Sequence, residues 1–308
     1  MISKSPTIET VAVVGSGLIG ASWTAFFLAH GVTVRAWDPN PEALRTLRGR
    51  VRAAVRQLRQ LGWRGKGKLV IERDLPDALV GVDLVQENAP ESLKLKHDLY
   101  ETIEASVTSG TVIVSSTSSM TWSMLSQKMR YPKRLVVAHP FNPPHLVPLV
   151  EIYGPAAGPV SRIAAFFRRL GKTVVVLKKE APGHVANRLA SALWREAVYI
   201  VAEGIADVGD VDAALVDGPG LRWAVMGAHM TYHLGGGAGG MESYLRHLGA
   251  SQERRWRSLG SPRLTLRVQK KLIEGVLTEA AGRSIETLEH ERDAKLIKIL
   301  RARKVPRR

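Results

Sequence analysis

Val11-Ala12-Val13-Val14-Gly15-Ser16-Gly17-Leu18-Ile19-Gly20 is the stretch of this 308-residue chain whose reading decides the fold. Four consecutive apolar residues read as a buried parallel strand. The glycines follow at once in the G-x-G-x-x-G spacing, and residues 18–30 read as a helix that Gly31 ends. Gly15 makes the tight turn, Gly17 lets the backbone approach a pyrophosphate, and Gly20 lets helix and strand pack closely. Leu18 and Ile19 open the helix, whose free N–H groups and partial positive charge suit a phosphate. Residues 33–37 read as a second strand, and Asp38 follows where a carboxylate binds the ribose 2′-hydroxyl and repels a 2′-phosphate. The stretch therefore predicts a dinucleotide site that takes NAD rather than NADP. Arg35 and Arg45 are the residues that would favour NADP if either met a phosphate.

Outward from this unit, strand-like runs at 83–86, 111–115, 135–138 and 173–177 alternate with helical runs at 92–105, 121–129 and 160–170. Such alternation predicts a mostly parallel sheet with helices on both faces. Glu180-Ala181-Pro182-Gly183 stops regular structure. Beyond it, residues 185–206, 211–216, 223–233 and 284–303 read as helices, with Ser284 as the N-cap of the last. The six residues 235–240 read as an inter-helix loop. The expected class is α/β. An N-terminal Rossmann-type, mostly parallel sheet domain occupies residues 1–183, and an all-helical substrate and dimerisation domain occupies 184–308.

Composition narrows the function. Hydrophobic residues make up 45% and charged residues 23%, ordinary for a globular enzyme. With no cysteine, disulfides and thiolate chemistry are excluded. Together with an N-terminus lacking an apolar signal core, this fits a cytoplasmic protein. No run of apolar residues is long enough for a membrane span. The formal net charge is +16. Between Glu42 and Glu72 there are nine bases and no acid, while Leu44, Leu47, Val51, Val55, Leu58 and Leu61 recur at helical spacing. This predicts an amphipathic helix with a basic outer face. That face reads as solvated surface, with a phosphate-rich substrate tail such as coenzyme A as the alternative. Nucleic acid is not expected, because no aromatics interleave with the bases.

Ala138-His139-Pro140-Phe141-Asn142-Pro143-Pro144 carries the candidate chemistry, with Glu151 twelve residues after the histidine. If the apolar segments 135–138 and 147–152 fold back on each other, the carboxylate reaches the imidazole. A carboxylate so placed fixes the tautomer and makes the histidine a usable proton acceptor. The pair alone also fits an ordinary core or surface contact. The nucleotide fingerprint upstream favours the catalytic reading.

Several motifs in order resemble the 3-hydroxyacyl-CoA dehydrogenase superfamily over nearly the whole length. They are Gly15 to Gly20 with Asp38, Glu91-Ser92-Leu93-Lys94-Leu95-Lys96, Ser116-Thr117-Ser118-Ser119, His139 to Glu151, and Pro182-Gly183-His184-Val185-Ala186-Asn187-Arg188-Leu189. The resemblance implies NAD-linked oxidation of a 3-hydroxyl, with His139 as general base and Glu151 as its orienting partner. It implies that Ser118 and Asn187 hydrogen-bond the reacting oxygen. It also implies that Glu91, Lys96 and Ser118 lie along the cofactor or the substrate mouth, that Asn142 binds the cofactor, and that the chain is a homodimer. Gly220-Leu221-Arg222-Trp223-Ala224-Val225-Met226-Gly227 resembles the branch holding lambda-crystallin (L-gulonate 3-dehydrogenase) and carnitine 3-dehydrogenase, in which Arg222 would clamp a substrate carboxylate. A structural salt bridge or dimer contact is the alternative for Arg222. His229 and His233 have a zinc-compatible spacing but no third ligand, so no metal is expected. Trp194, Trp223 and Tyr232 read as core or interface aromatics before they read as a cage for a quaternary ammonium.

The resulting expectation is an NAD-dependent dehydrogenase that oxidises a small free 3-hydroxy carboxylic acid, L-gulonate-like or carnitine-like, to the 3-keto acid. An L-3-hydroxyacyl-CoA dehydrogenase is the first alternative. A non-catalytic, crystallin-like NAD-binding protein is the second.

Overall fold

The computed structural model describes residues 7–303, so expectations for residues 1–6 and 304–308 lie outside the described residues. Eight strands form one sheet. They are Thr10–Val14 (β1), Thr33–Trp37 (β2), Leu69–Ile71 (β3), Leu84–Glu87 (β4), Val112–Ser115 (β5), Leu135–Pro140 (β6), Leu149–Tyr153 (β7) and Thr173–Val176 (β8). Their order is β3-β2-β1-β4-β5-β6-β7-β8. Every neighbouring pair is parallel except β6 and β7. The first unit is thus the α/β sheet that the sequence predicts.

Side-chain alternation along β1 builds both faces of the core. Val11 and Val13 pack into a cluster with Trp23, Phe27, Leu47, Leu58 and Phe167. Ala12 and Val14 pack into the opposite cluster with Tyr100, Ile103, Leu125 and Val137. The helices that cover the sheet are Leu18–Ala29 (α1), Pro41–Gln60 (α2), Leu75–Leu79 (α3), Leu93–Ser106 (α4), Trp122–Ser126 (α5) and Ala157–Arg169 (α6). In α2, Asn40 caps the start by accepting from the Glu42 N–H at 3.0 Å, and Leu47, Val51, Ala54 and Leu58 are buried. The basic side chains are left on its outer face.

The chain divides into two compact units. The first is Met1–Arg188 with Leu296–Arg301, and the second is Leu189–Lys295 with Ala302–Arg308. Residues 184–188 pack with the first unit, where Glu151 on β7 accepts backbone N–H groups from Val185 and Ala186. That unit takes in part of the last helix because Ile297 packs with Leu61 and Leu146.

The second unit is helical, as expected: most of Ala186–Glu203 (α7), then Val208–Leu215 (α8), Leu221–Trp223 (α9), Ala228–Gly235 (α10), Gly240–Ser258 (α11), Leu266–Ala280 (α12) and most of Ile285–Arg303 (α13). The single helix expected over residues 223–233 is instead two, because Gly227 takes an extended backbone before α10. Strand β3 and helices α3, α11 and α12 went unread. Among the described residues, no helix is long and apolar enough to cross a membrane.

Candidate active site

Gly15 adopts φ +89°, a left-handed conformation that L side chains rarely take, and a Cβ there would lie 2.8 Å from the Asn88 carbonyl oxygen. A Cβ on Gly20 would lie 1.8 Å from the Gly15 carbonyl oxygen. Glycine at both positions is therefore a steric requirement of the turn. Gly17 differs, since nothing lies within 4 Å of where its Cβ would be. That open side, beside a helix start with no side-chain cap, leaves the N–H groups around Leu18 and Ile19 for an anion.

Asp38 follows β2. It accepts the Ser16 N–H at 2.6 Å and the Asn40 N–H at 2.8 Å, which fixes its carboxylate next to the glycine turn. The two arginines that could have favoured NADP are both engaged. Arg35 pairs with Glu72 at 2.8 Å, and Arg45 with Glu42 at 2.6 Å. The residues present therefore fit a dinucleotide with a free 2′-hydroxyl.

A cavity of about 540 Å³ is lined by Ile19, Asn88, Glu91, Ser118, His139 and Asn187, with Asn142 and Phe141 among the other lining residues. The antiparallel pairing of β6 and β7 sets His139 directly opposite Glu151. The buried His139 Nδ1 lies 3.0 Å from Glu151 Oε2. The other oxygen, Oε1, accepts the Val185 and Ala186 N–H groups at 2.8 and 3.0 Å. Burial pushes the Glu151 carboxyl up, but the His139 hydrogen bond and the two backbone donors outweigh it and hold the group below its ordinary range. An ionised Glu151 requires His139 Nδ1 to be the donor, which leaves Nε2 as the acceptor. Asn187 Nδ2 stands 3.4 Å from that Nε2 and donates to the Ser118 carbonyl oxygen at 3.3 Å. His139, Glu151, Ser118 and Asn187 are thus brought together around one cavity.

His184 follows Gly183 with φ +52°, and its ring centre lies 4.8 Å from that of His139. Burial and the neighbouring His139 lower its pKa, which favours a neutral ring. Its Nε2 lies 3.3 Å from the Thr117 carbonyl oxygen.

Glu91 accepts from the Thr117 hydroxyl at 2.9 Å and from the Ser118 N–H at 2.7 Å, tying the β4 and β5 ends together. Lys96 is not brought to the cavity. It is 1% exposed, and its ammonium pairs with Glu87 at 2.6 Å and donates to the Ala89 carbonyl oxygen at 3.1 Å. A lysine expected along the cofactor instead lies inside the domain, because Glu87 supplies a buried countercharge. Glu87 also accepts from the Ala89 N–H at 2.6 Å and from the hydroxyls of Tyr100 and Ser115, both at 2.7 Å. Burial, with the Glu87 charge beside it, pushes the Tyr100 hydroxyl well above its usual range, so it stays a donor.

Sequence reasoning missed Glu87, although an acid ending an apolar strand was a readable signal. Arg222 lies exposed in α9 of the second unit.

A turn that needs glycine at Gly15 and Gly20, an Asp38 carboxylate fixed beside it, and a carboxylate-oriented histidine in a cavity that Ile19 of α1 also lines are the features of a nicotinamide-dependent oxidoreductase. Comparison with known proteins agrees. The model described as 3-hydroxyacyl-CoA dehydrogenase, NAD binding domain, matches residues 10–181, and that described as its C-terminal domain matches residues 183–279. The chain belongs to the 3-hydroxyacyl-CoA dehydrogenase family and is an NAD-dependent dehydrogenase.

An L-carnitine dehydrogenase of Streptomyces griseus is 45% identical over 96% of this chain and 90% of its own length. One of Pseudomonas aeruginosa is 40% identical over 96% of this chain and 94% of its own. Among solved structures, an NAD+-dependent 5-formyl-3-hydroxy-2-methylpyridine 4-carboxylic acid 5-dehydrogenase superposes with a TM-score of 0.84 at 29% identity, covering 97% of this chain and 99% of that one. The 3-hydroxybutyryl-CoA dehydrogenase of Escherichia coli gives 0.64 at 27% identity, covering 88% of this chain and 57% of that one.

Proposed function

We propose that this enzyme oxidises the 3-hydroxyl of a small free 3-hydroxy acid of the carnitine type to the 3-keto acid. The observation that carries the reaction type is the Glu151–His139 contact, which turns His139 Nε2 into a proton acceptor at the cavity. Bound NAD would supply the hydride acceptor for C3. The protein's part is to receive the hydroxyl proton on His139 and hold the imidazolium beside Glu151. Ser118 and Asn187 hydrogen-bond the oxygen as it becomes a carbonyl. Gly15, Gly17, Leu18, Ile19 and Gly20 would hold the pyrophosphate, Asp38 the adenosine ribose, and Glu91 and Asn142 the nicotinamide end. Lys96, paired with Glu87, acts on the cofactor only through the backbone it holds.

The free-acid assignment is supported by the similarity to L-carnitine dehydrogenases along nearly the whole chain. In this reading Arg222 clamps the carboxylate, since its planar fork binds one bidentately. The protein acts as a cytoplasmic homodimer. Exposed apolar residues of the second unit, among them Leu189, Trp194, Leu221 and Val225, support a partner copy.

The test is NADH formation with L-carnitine, L-gulonate and 3-hydroxybutyryl-CoA side by side. Turnover of a free acid, with a raised KM in Arg222→Lys, is expected. Turnover of the thioester alone would overturn the assignment.

A further inference from the structure

We propose that the outer face of α2 docks duplex DNA through its phosphate backbone, using Arg48, Arg52, Arg56 and Arg59. At 3.6 residues per turn these four positions fall within an arc of roughly 80°. At 1.5 Å rise per residue they run about 16 Å along the helix. All four side chains are exposed, and none has an ion-pair partner among the described residues. Arg45, one step upstream, is paired with Glu42. No acid intervenes before Glu72 to quench the row.

The row is also held rigidly. Leu47, Val51, Ala54 and Leu58 anchor the opposite face of the helix in the core, so the arginines cannot turn away from solvent. At the far end, the Arg301 guanidinium donates to the Gln60 carbonyl oxygen at 2.8 Å, adding a further positive charge where the row stops.

A regular line of fixed cations fits a regular line of anions. One strand of a duplex carries a phosphate about every 3.4 Å of axis, so the row spans roughly five phosphates. The guanidinium fork binds phosphate oxygens bidentately. The lack of interleaved aromatics argues against stacking on unpaired bases but has no bearing on backbone contacts to paired ones. The contact is therefore sequence-independent and salt-sensitive. It leaves the catalytic cavity alone, because none of the four arginines lines it.

The test is fluorescence anisotropy of a labelled random-sequence duplex of about 20 base pairs, titrated with the full-length enzyme at several salt concentrations. Four phosphate contacts predict a log–log salt slope near roughly −3 to −4. Arg52→Glu with Arg56→Glu should weaken binding roughly tenfold or more at low salt and flatten the slope by about two contacts. Its dehydrogenase activity and Tm should be unchanged. Arg52→Gln with Arg56→Gln should fall in between, which guards against misfolding of the reversed-charge protein. Arg254→Glu with Arg267→Glu, exposed arginines of the second unit, makes the same change in net charge and should bind as the parent does. An equal loss in that control would reduce the effect to overall charge and overturn the docking face. So would absence of binding at low salt, or capture by phosphatidylserine vesicles without capture by the duplex.

Discussion

Two carboxylates are buried in the first unit, and they are held in opposite ways. Glu87 is 0% exposed and accepts from four donors, one of them the Lys96 ammonium, and the lysine is itself absent from the cavity wall. Glu151 is 1% exposed and accepts from two backbone N–H groups and an imidazole whose second nitrogen faces the cavity. The first arrangement uses its donors inside the domain and holds the backbone at Ala89. The second leaves His139 Nε2 with a single long contact, to the Asn187 amide at 3.4 Å. Burial and pairing are common to both carboxylates; they differ in that the partner of Glu151 lines the cavity and the partner of Glu87 does not.

Glu87→Ala should have the most severe effect of the substitutions considered. It strands a buried ammonium, and losing one partner of such a pair costs about 3–5 kcal/mol. Chemical denaturation should show that loss, or the protein should fail to accumulate in soluble form. An unchanged midpoint would erase the distinction.

Glu151→Gln keeps the shape but removes the charge that orients His139 and stabilises its protonated form. A drop in kcat of roughly 10²- to 10⁴-fold is expected, by analogy with carboxylates that orient catalytic histidines, with NAD affinity nearly kept. Wild-type turnover would make Glu151 a second strut.

Lys172 sharpens the contrast by lacking a carboxylate. Its ammonium meets the Pro144 and Val147 carbonyl oxygens and stands over the Trp23 and Phe26 rings, and burial lowers its pKa to about 7. The unfolded chain, with an ordinary lysine pKa of about 10.4, holds a proton that the folded chain releases within that window. Stability from this group is therefore fully present above about pH 10.4 and is lost as pH falls toward about 7. Thermal melts should show the parent gaining stability relative to Lys172→Met between about pH 7 and pH 9. A flat difference would mean the ammonium is not desolvated.

The strand–glycine–helix unit and Asp38 were legible because their chemistry is local and sequential. His139 and Glu151 were legible once an antiparallel return was assumed, which the eight-residue connection between β6 and β7 provides. The burial of Lys96 was not legible because its partner, Glu87, lies nine residues away at the end of the preceding strand, just past the run read at 83–86. Strand β3 is three half-buried residues beyond the basic stretch, too short for a periodicity. The break at Gly227 was hidden because apolar residues continue at helical spacing on both sides.

In the proposed reaction His139 takes the hydroxyl proton, and its removal is the decisive test. His139→Ala should bind NAD with near-parental affinity by calorimetry, while NADH formation from L-carnitine falls roughly 10²- to 10⁴-fold in kcat. Parental turnover in that variant would remove His139 from the chemistry and, with it, the reading of Glu151 as anything more than a structural acceptor.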